Sequence, residues 1–308
     1  MVRKVQEESR QVLEKQLKFI NLLLKYRKVS KLLSTFLVPF ETFVQRDGRI
    51  RPSFHNTVCV TGRLSCSKPN IEQLPNQNDI ANIRNLFIAE PGNVLIVADY
   101  SGQEVRIMAQ ESGDKTFKDA LINGLDLHQV TADAVGVSRT EAKCIVFGTA
   151  YGKSSYGFSK DFNCSEKEAQ TFIDKFFAQY PGLRRAIEKT REEVYKHGFV
   201  TNMSGRRRRF PDFHKLNKWG KERCYRMAFN FKIQGFAADV TKRAAANVIQ
   251  NDKLRLINII HDELVIETSK GYVEQGMEYV RQAMIKALPI FLPWDIDISY
   301  GTRYGEAK

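Results

Sequence analysis

Residues 256–267 read LINIIHDELVIE, two short apolar runs on either side of a His-Asp-Glu tip. Each run is rich in β-branched residues and bounded by polar ones, so each is read as a buried strand. Two strands this close in sequence require a tight hairpin, which commits the chain to an antiparallel sheet in its core. The tip then carries two carboxylates, Asp262 and Glu263, out of an apolar sheet. Acids at such a tip are commonly solvated turn residues. The competing reading is a metal site, since hard divalent cations take carboxylate oxygens held on a rigid element.

One carboxylate rarely holds such an ion, and Asp99 supplies another. The segment NVLIVADYSGQEVR (93–106) opens with a continuous apolar run that reads as a strand buried on both faces. It ends in Asp-Tyr-Ser-Gly, after which a helix is expected over 102–112. An acid there is often only the cap of the next helix. Paired with Asp262 it acquires a second meaning. Two acids on neighbouring strand ends suit a pair of Mg²⁺ ions about 3.5–4 Å apart, the clamp used for in-line phosphoryl transfer.

Charge points to the substrate. The 308 residues carry 48 Lys and Arg against 35 Asp and Glu, a net charge of +13 that favours a polyanion: nucleic acid first, an anionic membrane second. The densest basic point is Arg206–Arg209, which alone reads equally as a solvated turn or a targeting patch. Five cysteines without a CxxC argue against a zinc site or a disulfide framework and fit a reducing, cytoplasmic compartment. No apolar run approaches about 18 residues, so no membrane span is expected.

The remaining organisation is mixed. An amphipathic helix is expected over 3–27, with Leu13, Leu17, Ile20 and Leu24 on one stripe. Strands are expected over 46–65 around Asp47-Gly48, and 66–92 reads as irregular. Helices dominate to about 197, two of them opened by the capping boxes Ser138-x-x-Glu141 and Ser165-x-x-Glu168. A hairpin or loop over 198–219, a long helix over 220–251, a helix near 272–287 and a strand near 294–300 complete the α+β pattern.

After Ser138 the chain reads RTEAKCIVFGTAYG, in which Arg139, Lys143, Phe147 and Tyr151 recur every four residues. Each step advances about 40° beyond a full turn, so the four form one slowly winding stripe. Its cations lie at the helix N-terminus, where the dipole and free N–H groups already favour an anion. A triphosphate fits across Arg139 and Lys143, with Phe147 against a sugar and Tyr151 near a base. The bland alternative is an amphipathic helix with core aromatics. Gly148 and Gly152 are read as a bend or a close approach to a base pair.

Three motifs are now in order: DYSGQEVR (99–106), RTEAKCIVFGTAYG (139–152) and HDE (261–263). Together they resemble the first palm motif, the fingers helix and the second palm motif of family A DNA polymerases, the bacterial DNA polymerase I class. TGRLS (61–65) with PNIEQLP (69–75), DLHQVTA (126–132), RMAFNFKIQGFAAD (226–239) and the terminal GTRYGEAK are similar to further segments of that family, so the resemblance covers about 22–308. It implies an α+β right hand: an antiparallel palm sheet with helices, helical fingers, and a thumb reduced or absent. The expected division is 1–60 N-terminal helices, thumb remnant and start of the palm, 61–112 palm, 113–225 fingers and 226–308 palm.

The resemblance also implies roles. Asp99, Asp262 and the Tyr100 carbonyl would hold two Mg²⁺ ions, with Mn²⁺ as a substitute, and Glu263 would support them without being an obligatory ligand. Arg139, Lys143, His128 and Arg84 would hold the incoming deoxynucleoside triphosphate, with Lys143 also protonating the leaving pyrophosphate. Phe147 and Tyr151 would pack on the nucleotide, and Glu104 would exclude a ribose 2′-OH. Arg63, Arg226, Asn230, Gln234, His261 and Tyr151 would contact primer-template DNA, partly through minor-groove acceptors that are nearly alike for all base pairs. The function implied is template-directed DNA polymerisation without proofreading, in the cytoplasm of a bacterial or phage-infected cell.

The pattern departs in places. Gly102-Gln103 stands where many relatives have Gln-Ile, and Phe236 where a small residue is common, which puts template positioning in question. Sixty residues precede Thr61, too few for a full thumb or an exonuclease domain. A separate thumb, exonuclease or processivity subunit is therefore an expected partner. The alternative in another class is a catalytically silent, polymerase-like DNA-binding subunit. Against it, DNA binding alone gains nothing from acids clustered near phosphates.

Overall fold

The computed structural model describes residues 2–75 and 82–307, with side chains from residue 13 onward. Among these, α1 (Val2–Leu32) runs through a π-helical turn at Leu33–Leu37 into α2 (Val38–Phe43). A short antiparallel pair follows, β1 (Ser53–His55) with β2 (Ser65–Ser67). The expected strands over 46–65 are thus mostly loop, with a single bridge between Val44 and Ile50 around the Asp47-Gly48 turn. The stripe Leu13, Leu17, Ile20 and Leu24 of α1 lies exposed.

The core is a four-stranded antiparallel sheet of β3 (Asn93–Tyr100), β6 (Arg255–Ile260), β7 (Glu263–Ser269) and β8 (Ile296–Gly301), in the order β6-β7-β3-β8. β3 reads as a continuous apolar run because both of its faces are covered. Ile96, Ala98 and Tyr100 face the large core shared with the helices, while Leu95 and Val97 face a second cluster with Phe36, Phe40, Ile71 and Tyr304. Strand alternation places Asp99 on the Leu95–Val97 face, at the sheet's end. β6 carries a bulge near Ile257, which increases local twist next to the hairpin tip.

The helices after β3 are α3 (Gln103–Ser112), α4 (Lys115–Ile122), α5 (Leu127–Val135), α6 (Arg139–Ala150), α7 (Ser155–Phe162), α8 (Glu166–Gln179) and α9 (Pro181–His197). Both expected capping boxes form, at the starts of α6 and α8. A small hairpin, β4 (Phe199–Thr201) with β5 (Arg207–Arg209), leads into α10 (Lys218–Val248), a 31-residue helix about 46 Å long. α10 is buried along much of its length and packs on α3, α9 and α11 (Val273–Ile285). Buried Lys232 of α10 fastens three of these helices by reaching Glu111 of α3 and Glu193 of α9, each at 3.0 Å. Phe236 lies in the main core, about 200° around the helix from Gln234. No helix among the described residues is long and apolar enough to cross a membrane.

Candidate active site

The hairpin register sets the site. Ile260 pairs with Glu263, leaving only His261 and Asp262 in the loop. Such a two-residue turn demands positive φ, and His261 adopts +56°, a conformation that costs a non-glycine residue about 1–2 kcal/mol. The Tyr100 N–H donates to the Asp262 carbonyl at 3.4 Å, which holds the tip over the end of β3. Asp99 is the register partner of Glu263 on one side and of Asp297 on the other. Cross-strand partners share a face, so the three form one acidic rung beside Asp262.

Glu263 is buried, and the Tyr304 hydroxyl donates to it. The Arg84 guanidinium lies 4.9 Å from the Tyr304 ring centroid. Burial first, and then the negative charge of Asp99, push the Asp262 carboxyl up to about 7. Two carboxylates in so little water call for positive charge. Among the described residues no three acidic, His or Cys side chains close into a metal cage of their own. A carboxylate pair with a backbone carbonyl still fits Mg²⁺, which keeps waters and completes its shell from substrate phosphates.

Glu104, in the first turn of α3, sits between two elements. Arg63 of the loop before β2 donates to one of its oxygens and the Tyr151 hydroxyl to the other. Burial and the Glu104 charge hold the Tyr151 phenol in its neutral, donating form. Tyr151 caps the C-terminus of α6, and the stripe runs back from it along that helix. Phe147 lies 6.4 Å from Tyr151, and His128 of α5 lies 5.9 Å from Phe147, between ring centroids. Asp126 caps α5 through the His128 N–H and also accepts from Arg139 Nε at 2.6 Å, which gathers His128 and Arg139 at one end. Burial holds the His128 imidazole below its ordinary value, with Lys143 and Arg139 acting in the same direction. Lys143 is exposed. A continuous line therefore runs from a cationic helix N-terminus, past two aromatics, to Glu104 and the acid pair.

Arg226, Asn230 and Gln234 repeat every four residues along α10, and Gln234 lies close enough to Tyr151 to pull its phenol slightly back towards the ordinary value. His261 is held below its ordinary value by burial and then by the positive charge of Arg63. Asn230 Oδ1 and His128 Nδ1 are buried without hydrogen-bond partners, the kind of atoms that a bound polar ligand satisfies.

Arg84 is only 5% exposed; it donates to the Pro75 carbonyl and lies over the ring of Tyr304, the residue whose hydroxyl donates to Glu263. At Gly148 and Gly152 the chain's own neighbours already leave no room for a side chain. A Cβ at Gly148 would meet the Phe158 ring at 2.6 Å, and one at Gly152 (φ +75°) would meet Arg226 at 2.4 Å. Sequence reasoning missed Tyr304, Asp297 and the Ser101 hydroxyl that donates to Asp297. Only strand register could have found Asp297, since nothing local marks it.

The family model described as DNA polymerase family A matches residues 3–306. The DNA polymerase I of Pseudomonas aeruginosa is 39% identical over 302 residues, covering 92% of this chain and 33% of that protein. The thermostable DNA polymerase I of Thermus aquaticus is 36% identical over 300 residues, covering 93% of this chain and 36% of the relative. The chain thus spans about a third of the length of these relatives. Among solved structures, the polymerase domain of Pol1 from M. smegmatis, in complex with DNA primer-template and dNTP, superposes with a TM-score of 0.89 at 33% identity. That match covers 94% of this chain and 54% of the other.

Proposed function

The chain belongs to DNA polymerase family A, and from that premise we propose that it adds deoxynucleotides to a primer 3′-OH on a DNA template by two-metal nucleotidyl transfer. The observation that carries the reading is the line joining the Asp99–Asp262 pair to the α6 stripe through Glu104 and Tyr151. Residues 61–112 and 226–308 serve as palm, 113–225 as fingers, and 1–60 as N-terminal helices and start of the palm. No proofreading is assigned to these residues.

Asp99, Asp262 and the Tyr100 carbonyl would hold two Mg²⁺ ions, or Mn²⁺, which when bound activate the primer hydroxyl and neutralise charge on the phosphates. Glu263, fixed by Tyr304, keeps the hairpin end in place. Arg139, Lys143 and His128 bind the triphosphate, and Lys143 is the acid for the departing pyrophosphate. Phe147 and Tyr151 hold the nucleoside, and Glu104 lies where a 2′-OH would need room. Arg63, Arg226, Asn230, Gln234 and His261 read the minor groove and the primer end, independently of sequence.

Primer extension tests the reading. Wild type with Mg²⁺ should extend a DNA primer on a DNA template, and Asp99→Ala should not. A wild type no more active than Asp99→Ala, yet still bound to DNA, would establish the silent-subunit alternative.

A further inference from the structure

The run Arg206–Arg209 has no place in the proposed chemistry, and the structure divides it. Arg207 stacks on Phe199 at 4.8 Å, and Arg208 stacks on Phe210 at 5.3 Å while donating to the Met227 carbonyl. Arg206 instead turns back onto α10. Its Nε lies 3.1 and 3.2 Å from the two carboxylate oxygens of Asp239 on α10, and its Nη2 bonds the same group. Asp239 also accepts from Asn202 Nδ2 at 3.0 Å and from the Ser204 hydroxyl. Asn202, itself buried, accepts from the Arg206 N–H at 2.9 Å. The guanidinium thus has a fixed orientation.

Its face covers Gly62. A Cβ on Gly62 would lie 2.8 Å from Arg206 Cζ, and Gly62 has φ +80°. On its other side the same loop rests on α10, where a Cβ on Gly235 would come within 3.4 Å of the Thr61 carbonyl. Thr61 and Gly62 are clamped between the Arg206 plane and α10, and the next residue is Arg63, which reaches Glu104.

We propose that Arg206, oriented by Asp239, is a positioning residue that clamps Thr61-Gly62 and so aims Arg63 at the primer end and at Glu104. This rests on the reading of Arg63 as a primer contact. A planar bidentate group is needed, because a lysine ammonium supplies the charge without the flat face or the fork.

The test is a double-mutant cycle on primer-template affinity, measured without turnover, with Arg63→Ala, Arg206→Ala and the double variant. Arg206→Ala in the wild-type background should weaken binding by about ten-fold. In the Arg63→Ala background it should have almost no further effect, because the residue it aims is gone. Arg206→Lys should behave like Arg206→Ala. An equal loss in both backgrounds, which general damage to the fold would also produce, overturns the proposal, as does rescue by Arg206→Lys or an unchanged affinity for Arg206→Ala. If Arg63→Ala itself binds like wild type, the primer-contact reading fails and the inference falls with it.

Discussion

Asp262→Asn should abolish polymerisation and yet stabilise the fold, by an amount that depends on pH. The Asp262 carboxyl, ordinarily near 3.8, is pushed up to about 7 by burial and then by Asp99. A rise of about three units corresponds to an upper figure of about 4 kcal/mol once the group is ionised in the folded state. The asparagine amide is itself polar and partly buried, and the tip is partly solvated, so the net gain should be about 1–3 kcal/mol. Below about pH 4 folded and unfolded chains both hold the proton, and the carboxyl exacts no penalty. Between about 4 and 7 the unfolded chain releases its proton while the folded chain keeps it, so wild-type stability falls as pH rises. Above about 7 the penalty is complete. Thermal unfolding in EDTA should therefore give equal midpoints at pH 4 and a variant higher by about 2–10 °C at pH 8. Mg²⁺ should narrow that difference by stabilising the wild type. A gain independent of pH, or a variant less stable at pH 8, would refute the argument that the acid pair is strained by burial and mutual repulsion.

Glu104→Ala releases both Arg63 and Tyr151; the ratio of ribonucleotide to deoxynucleotide incorporation should rise at least about ten-fold, and unchanged selectivity removes Glu104 from its role. His261→Gly relieves the +56° φ, so unfolding should show stability unchanged or higher by about 1 kcal/mol while primer-end affinity falls; lost stability would place the constraint elsewhere. Arg139→Ala breaks an exposed ion pair with Asp126, costing under about 1 kcal/mol of stability but raising KM for the nucleotide; a fall in kcat alone would contradict a binding role. Gly152→Ala forces a Cβ against Arg226 at a positive φ and should lower both the unfolding temperature and template affinity, whereas wild-type behaviour in both would mean that Arg226 yields freely.

Much of this was legible in the chain because it follows local rules. The β6–β7 hairpin, β3 and the capping boxes of α6 and α8 depend on periodicity and capping chemistry, and they formed where expected. The α6 stripe was readable for the same reason, since four-residue spacing on a helix is geometry. What escaped depends on long-range placement. Asp297 joins the acidic rung only through β8 register. Tyr304 reaches Glu263 from 41 residues away. The burial of Arg84 over the Tyr304 ring is decided by packing that no local pattern announces. Gly148 and Gly152 invited a functional reading, although their neighbours Phe158 and Arg226 are sufficient cause. Arg206 was hidden in a run of four arginines, while the side chains of Arg206, Arg207 and Arg208 go to three different places.

The most direct test is single-turnover incorporation of one deoxynucleotide on a bound primer-template, comparing wild type with Asp262→Asn at saturating Mg²⁺. The account expects DNA affinity within a few-fold and a rate lowered by at least about a thousand-fold, on the order of 4 kcal/mol of transition-state stabilisation. Equal rates, or a defect confined to DNA binding, would contradict it.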